Sequence, residues 1–212
     1  NIYTAGGEFA ETKKEQICLA YAYGNSPESC SENMKLSASR TLYGINIASY
    51  VTVDLAGIGR ITNEIGGVKL TCIEELNGRG FKYKVGQELN LKGDSAIFYV
   101  QTRGTDMDAS TRRLARQKQF LTAFASTAGN QILSNFTKLK SYYDIMNPYT
   151  ATDLSFSQIT YLVSSCLSPN IGSKLEYKTI AGSAAMGEKW VEFTPDEQSL
   201  TQTIIDVFYV EK

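Results

Sequence analysis

The stretch ASYVTVDLAGIGRITNEIGGVKLTCIEE, residues 48 to 75, constrains the fold more than any other part of the chain. ASYVTVD is rich in β-branched residues and predicts a strand; it ends on Asp54, whose carboxylate can accept backbone N–H bonds at the start of a following helix. LAGIGRITNEI then predicts a helix that stops at Gly66-Gly67, and VKLTCIEE predicts the next strand. Strand, helix and strand in this order form a βαβ-like unit and point to an α/β fold.

The flanking sequence adds elements of both kinds. ICLAYAYG, residues 17 to 24, is short, apolar and aromatic and predicts a strand or strand end, followed by turn chemistry in NSPESCSEN. SENMKLSASRTLY predicts a helix ending at Gly44, and YKVGQELNLKG predicts two short extended pieces around Gly86. From Gly93, the spacing of Ala96, Tyr99, Val100 and Arg103 predicts one helical face. After a break, a long amphipathic helix is expected from about Ser110, with Leu114, Phe120, Leu121 and Phe124 as its apolar stripe. NFTKLKSYYDIM and SFSQITYLVSSC predict two more helices. KLEYKTIAG and KWVEFTP predict strands, and DEQSLTQTIIDVFYV a closing helix with Asp196 and Glu197 in its first turn. With no repeat and no long linker, 212 residues and a hydrophobic fraction of 42% suit one domain.

Several chemistries are excluded at this level. A chain without histidine cannot run a nucleophile with a histidine base, and no GxSxG elbow occurs. GIGRIT lacks the third glycine of a dinucleotide fingerprint and no P-loop is present, so Gly57 and Gly59 are expected to pack a helix rather than cradle a cofactor. A formal net charge of -1 argues against wrapping nucleic acid. No run approaches the ~18 apolar residues of a membrane span. Cys18, Cys30, Cys72 and Cys166 have no CxxC spacing; they suit either buried thiols or, outside the cytoplasm, disulfides, of which Cys18 with Cys30 and Cys72 with Cys166 is one of three possible pairings, favoured because the first two are close in sequence.

Positive charge is concentrated in one place. YVQTRGTDMDASTRRLARQ, residues 99 to 117, holds Arg103, Arg112, Arg113 and Arg116, four of the seven arginines, together with Asp106 and Asp108. Guanidinium groups stay charged and present a planar fork that matches phosphate oxygens, so such a cluster suits an anion held between its members. The other reading is a solvated face in which Asp106 and Asp108 pair with the arginines. Spacing alone leaves both open.

ICLAYAYG, SYVTVDLAGIGRITNEIGGVKL, VGQELNLKGDSAIFYVQTR and RRLARQKQFLTAF, in this order and spacing, resemble the LytR-CpsA-Psr family of bacterial envelope proteins, from about residue 15 to residue 126. The resemblance implies an α/β/α sandwich with a central mixed β-sheet. It implies a glycopolymer transferase of phosphotransferase type, which moves a polymer such as wall teichoic acid or capsular polysaccharide from a polyprenyl-pyrophosphate carrier to peptidoglycan. The place implied is the extracytoplasmic face of a Gram-positive cell membrane, with magnesium as cofactor. A non-catalytic binder of the lipid-linked polymer, or an envelope interaction protein, is the alternative.

Carried over by position, the resemblance makes Arg103, Arg113 and Arg116 catalytic and phosphate-binding, with Gln117 and Gln101 beside them, and Asp108 or Asp106 the metal ligand. Arg116→Ala is accordingly expected to abolish polyprenyl-phosphate binding. Gln101 stands where the family pattern has its first arginine, which removes one charge from the clamp. Further site residues and a membrane anchor are expected upstream of residue 1, so that activity is expected of a longer protein rather than of this stretch alone.

Overall fold

The computed structural model describes residues 2–3, 9–11, 17–187 and 191–209. Within them the chain divides into two compact units.

The larger unit covers Val53–Thr150 and Leu154–Glu176. It begins where strand β3 (Val51–Val53) meets Asp54, whose carboxylate accepts the Ala56 N–H at 2.7 Å and starts helix α2 (Leu55–Glu64). Helix α2 ends as its sequence predicts: Gly66 and Gly67 take φ of 83° and 102°, and their N–H groups bond back to Asn63 and Thr62. Gly57 and Gly59 are packing glycines. A Cβ on Gly57 would stand 2.8 Å from the Tyr149 Cβ, and one on Gly59 would stand 3.2 Å from Ile97.

Strand β4 (Val68–Thr71) follows, then the hairpin of β5 (Leu76–Gly78) and β6 (Phe81–Tyr83), then β7 (Glu88–Leu91). The strands flanking α2 do not pair with each other. β4 is antiparallel to β7, with Val68 opposite Leu91, while β3 pairs with β8 (Thr150–Thr152). Among the described residues every ladder is two-stranded, and the four pairs with a defined register are antiparallel. The mixture of helix and strand makes the chain an α/β protein.

Helices α3 (Asp94–Gln101) and α4 (Ala109–Ser134) meet at a corner, and α5 (Thr137–Met146) and α6 (Phe156–Cys166) complete the helical part. The core gathers Ile61, Val68, Leu70, Leu91, Phe98, Tyr99 and Phe120. The apolar stripe expected on α4 is shifted: Leu114 and Leu121 are 43% and 48% exposed, and the buried positions are Ala109, Arg116, Phe120, Ala128, Gly129 and Ile132. Arg103, expected to share one helical face with Ala96, Tyr99 and Val100, lies beyond the end of α3 and is exposed.

The smaller unit covers Asn1–Thr52, Ala151–Asp153 and Tyr177–Lys212. Its first elements are the short antiparallel strands β1 (Ile2–Tyr3) and β2 (Phe9–Glu11). Residues Ile17–Tyr23, predicted as a strand, form a 3-10 helix. Its apolar and aromatic residues suit a strand, but among the described residues it joins no ladder, and it packs on helix α1. Helix α1 (Pro27–Thr41) starts inside the stretch read as a turn, because Ser26 caps it by accepting the Ser29 N–H and Pro27 fits the first helical position.

Residues 175–181, predicted as a strand, are irregular. The strand instead runs over β9 (Gly182–Met186), antiparallel to β10 (Val191–Pro195). Lys189 and Trp190 of the predicted KWVEFTP strand lie outside the described residues. The closing helix, α7 (Glu197–Phe208), is capped by Asp196, which accepts the Ser199 N–H at 2.7 Å. None of the four cysteines is in a disulfide, and only Cys72 is buried.

Candidate anion site at the α3–α4 corner

Arg116 is the largest fully buried side chain among the described residues, 1% exposed on the inner stripe of α4. A guanidinium buried there needs its charge paired and its N–H groups taken up by acceptors. Its Nη1 donates to the Tyr99 carbonyl and its Nη2 to the Thr102 carbonyl, at the C-terminal end of α3, where unpaired carbonyls carry partial negative charge. Its Nε stands 2.7 Å from Glu74 Oε2 but off the N–H direction, so this contact is a charge pairing rather than a directed hydrogen bond. The Tyr99 ring lies 5.7 Å from the guanidinium carbon.

Glu74 extends the pairing outward. Arg112, one turn before Arg116, donates from Nε to Glu74 Oε1 at 2.8 Å and clamps both oxygens of Asp106, at 2.9 and 2.6 Å. Asp106 and then Glu74 hold Arg112 firmly protonated, and Arg112 holds the Asp106 carboxyl below its ordinary range. The chain Arg116, Glu74, Arg112, Asp106 thus ties the loop after β4 and the loop before α4 to the helix corner. Gln119 adds two bonds, donating to the Thr71 carbonyl at 2.7 Å and accepting the Tyr99 hydroxyl proton at 2.6 Å. Burial pushes the Tyr99 phenol up to about 12.

The remaining predicted residues sit differently. Gln117, one turn after Arg113 on α4, donates to the Val100 carbonyl at 3.0 Å. Gln101 is the last residue of α3 and accepts a hydrogen bond at 2.8 Å from Arg79 Nη1, which comes from the β5–β6 turn. Arg113 is half-buried and Arg103 exposed, and among the described residues neither side chain makes a hydrogen bond or ion pair. Asp108 occupies the position before α4 without capping it through its side chain. The structure therefore divides the four arginines: Arg112 and Arg116 are neutralised by Glu74 and Asp106, whereas Arg103, in the loop after α3, and Arg113, near the start of α4, have no such partner among the described residues.

The profile of the LytR_cpsA_psr family matches residues 2–205. The chain belongs to the LytR_cpsA_psr family. It is 22% identical over 193 residues to the polyisoprenyl-teichoic acid–peptidoglycan teichoic acid transferase TagU of Enterococcus faecalis, covering 90% of this chain and 59% of that protein. The crystal structure of Bacillus subtilis TagV superposes with a TM-score of 0.74 at 23% identity, over 94% of this chain and 77% of that one. TagT bound to LI-WTA superposes with a TM-score of 0.64 at 19% identity, over 91% of this chain and 69% of that one. The fold of this LytR_cpsA_psr chain is that of these structures, and the chain spans about 59% of the E. faecalis relative's length.

Of the two magnesium ligands implied by the resemblance, Asp106 is engaged within the chain and Asp108 is not. Both oxygens of Asp106 are taken by Arg112, and among the described residues no three acidic or thiol side chains gather as a metal site. Asp108, whose side chain does not cap α4, is a carboxylate of the kind that holds magnesium together with substrate phosphates. Two participants were invisible in the sequence. Glu74 follows a strand as one of two adjacent glutamates, and Arg79 sits in a turn; only the packing of these segments against α3 and α4 brings them to the arginines.

Proposed function

We propose that this chain forms the transfer domain of an envelope glycopolymer transferase, moving a teichoic-acid-like polymer from a polyprenyl-pyrophosphate carrier to peptidoglycan at the extracytoplasmic face of the membrane. The observation that carries the reading is the division of the arginine corner: among the described residues the charge of Arg103 and Arg113 has no partner, whereas Arg112 and Arg116 are balanced by Glu74 and Asp106. The names of the relatives, teichoic acid transferases acting on peptidoglycan, supply the substrate class.

In this reading Arg103 and Arg113 lie against the pyrophosphate oxygens, and Gln117 and Gln101 supply neutral donors beside them. The acceptor hydroxyl attacks the polymer-bearing phosphorus, and the bond to the bridging oxygen breaks. Polyprenyl phosphate leaves with the charge that the two guanidiniums stabilise, and the hydroxyl proton passes to water. Arg116 acts one step back: from its buried position it holds the Tyr99 and Thr102 carbonyls and so fixes where Gln101 and Arg103 stand. Asp108 remains the candidate metal ligand or arginine-orienting group; no step is assigned to a cation.

The test is binding of geranylgeranyl pyrophosphate by calorimetry. Arg113→Ala and Arg103→Ala are each expected to weaken it by about tenfold or more, as for loss of a charge-assisted contact. Affinity equal to that of the parent chain in both variants would remove the phosphate assignment. A binder without turnover is the second reading, favoured by Gln101 in place of an arginine. A transfer assay on a longer protein carrying this domain, with and without Gln101→Arg, separates the two, since a pure binder transfers polymer in neither form.

A further inference from the structure

The clamp is short of one arginine at position 101, yet a guanidinium stands at that place from another part of the chain. Arg79 and Gly80 form the two-residue loop of the β5–β6 hairpin, with φ of 49° and 82°, values that suit the tight hairpin turns with left-handed central residues. The hairpin is fixed to α3 through aromatic contacts: Phe98 lies 5.2 Å from Phe81 and 5.8 Å from Tyr83, ring centre to ring centre. Gly78 lies against the Phe98 ring, whose nearest atom is 3.4 Å from where a Cβ would stand. The turn is thereby held over the C-terminal end of α3, and Arg79 Nη1 donates to Gln101 Oε1 at 2.8 Å. Arg79 is exposed, and its other N–H groups make no hydrogen bond or ion pair among the described residues.

We propose that Arg79 is a phosphate-binding residue of this site, supplying from the β5–β6 turn the charge that Gln101 lacks. The proposal rests on the phosphate reading above. The glutamine is then a spacer: its side-chain oxygen orients the guanidinium, and a planar cation stands at the end of α3, near the uncommitted Arg103 two residues on. A guanidinium placed there only to neutralise the carbonyls of the helix end would be redundant, because Arg116 already takes the Tyr99 and Thr102 carbonyls. The ligand class is a diphosphate, free or lipid-linked.

The experiment measures the affinity of the parent chain, Arg79→Asn, Gln101→Arg and the double variant for geranylgeranyl pyrophosphate and for inorganic pyrophosphate at one ionic strength. Asn followed by Gly80 is the favoured sequence for such a turn, so Arg79→Asn is expected to keep its melting temperature. It is expected to lose about tenfold or more in affinity for both probes, and the double variant to recover most of that loss. Parent-like affinity in Arg79→Asn overturns the role of Arg79 while leaving the phosphate reading intact, as does a double variant as weak as Arg79→Asn. A parent chain that binds neither probe overturns both. Binding of the lipid probe alone would mark the carrier rather than a soluble diphosphate as the ligand.

Discussion

Arg116 and Arg113 stand three residues apart and are expected to fail in different ways. Removing Arg116 leaves Glu74 half-paired, strips two carbonyls of their donor and opens a cavity in the inner stripe of α4. Arg116→Ala should therefore cost about 3–5 kcal/mol in urea unfolding, the range for breaking a buried charge pair from one side. Any loss of phosphate binding in that variant then follows from the lost corner. Arg113→Ala should leave stability within about 0.5 kcal/mol, as for a surface substitution, while weakening diphosphate binding. Similar unfolding midpoints for the two variants would contradict this division. Asp106 adds a pH dependence. Its carboxyl is depressed by Arg112, so its contribution is present above its unfolded value near 4 and is lost as pH falls through the lower folded value. Acidification below about pH 4 should loosen the loop before α4 in the parent chain more than in Asp106→Asn, measurable by amide exchange in that segment.

At the scale of elements, α2 and the aromatic anchor of the hairpin carry the clearest tests. Asp54→Ala removes the one side-chain cap of α2 and should cost about 1 kcal/mol. Gly57→Ala forces a methyl against the Tyr149 Cβ and should cost about 1–3 kcal/mol despite the better helix propensity of alanine. A stabilised Gly57→Ala protein would show that the helix can shift to make room. Phe98, 2% exposed, joins α3 to the β5–β6 hairpin, so Phe98→Ala should destabilise by about 3–5 kcal/mol and weaken diphosphate binding through the displaced Arg79. The start and stop of α2 were legible in its sequence because Asp54, Gly66 and Gly67 act within a few residues of themselves. The 3-10 helix at Ile17–Tyr23 was not, since an apolar aromatic run becomes a strand only if another strand lies beside it.

For the molecule as a whole, a net charge of -1 with a local excess of guanidinium predicts anion binding confined to one corner. Duplex DNA is expected to show no salt-sensitive association with the chain, while diphosphate affinity should fall as ionic strength rises. By itself the sequence determined the α/β composition, the capped helix α2, the packing role of its glycines and the family. It also marked residues 99 to 117 as the place where charge collects, because each of these depends on neighbours in the chain or on a linear pattern. Which arginines are available was decided by the tertiary structure alone. Glu74 and Arg79 reach α3 and α4 from segments more than twenty residues away, and the face of α4 that is buried is set by what packs on it. A sequence lists the charges at a corner, but their balance depends on partners that only folding brings within hydrogen-bonding distance.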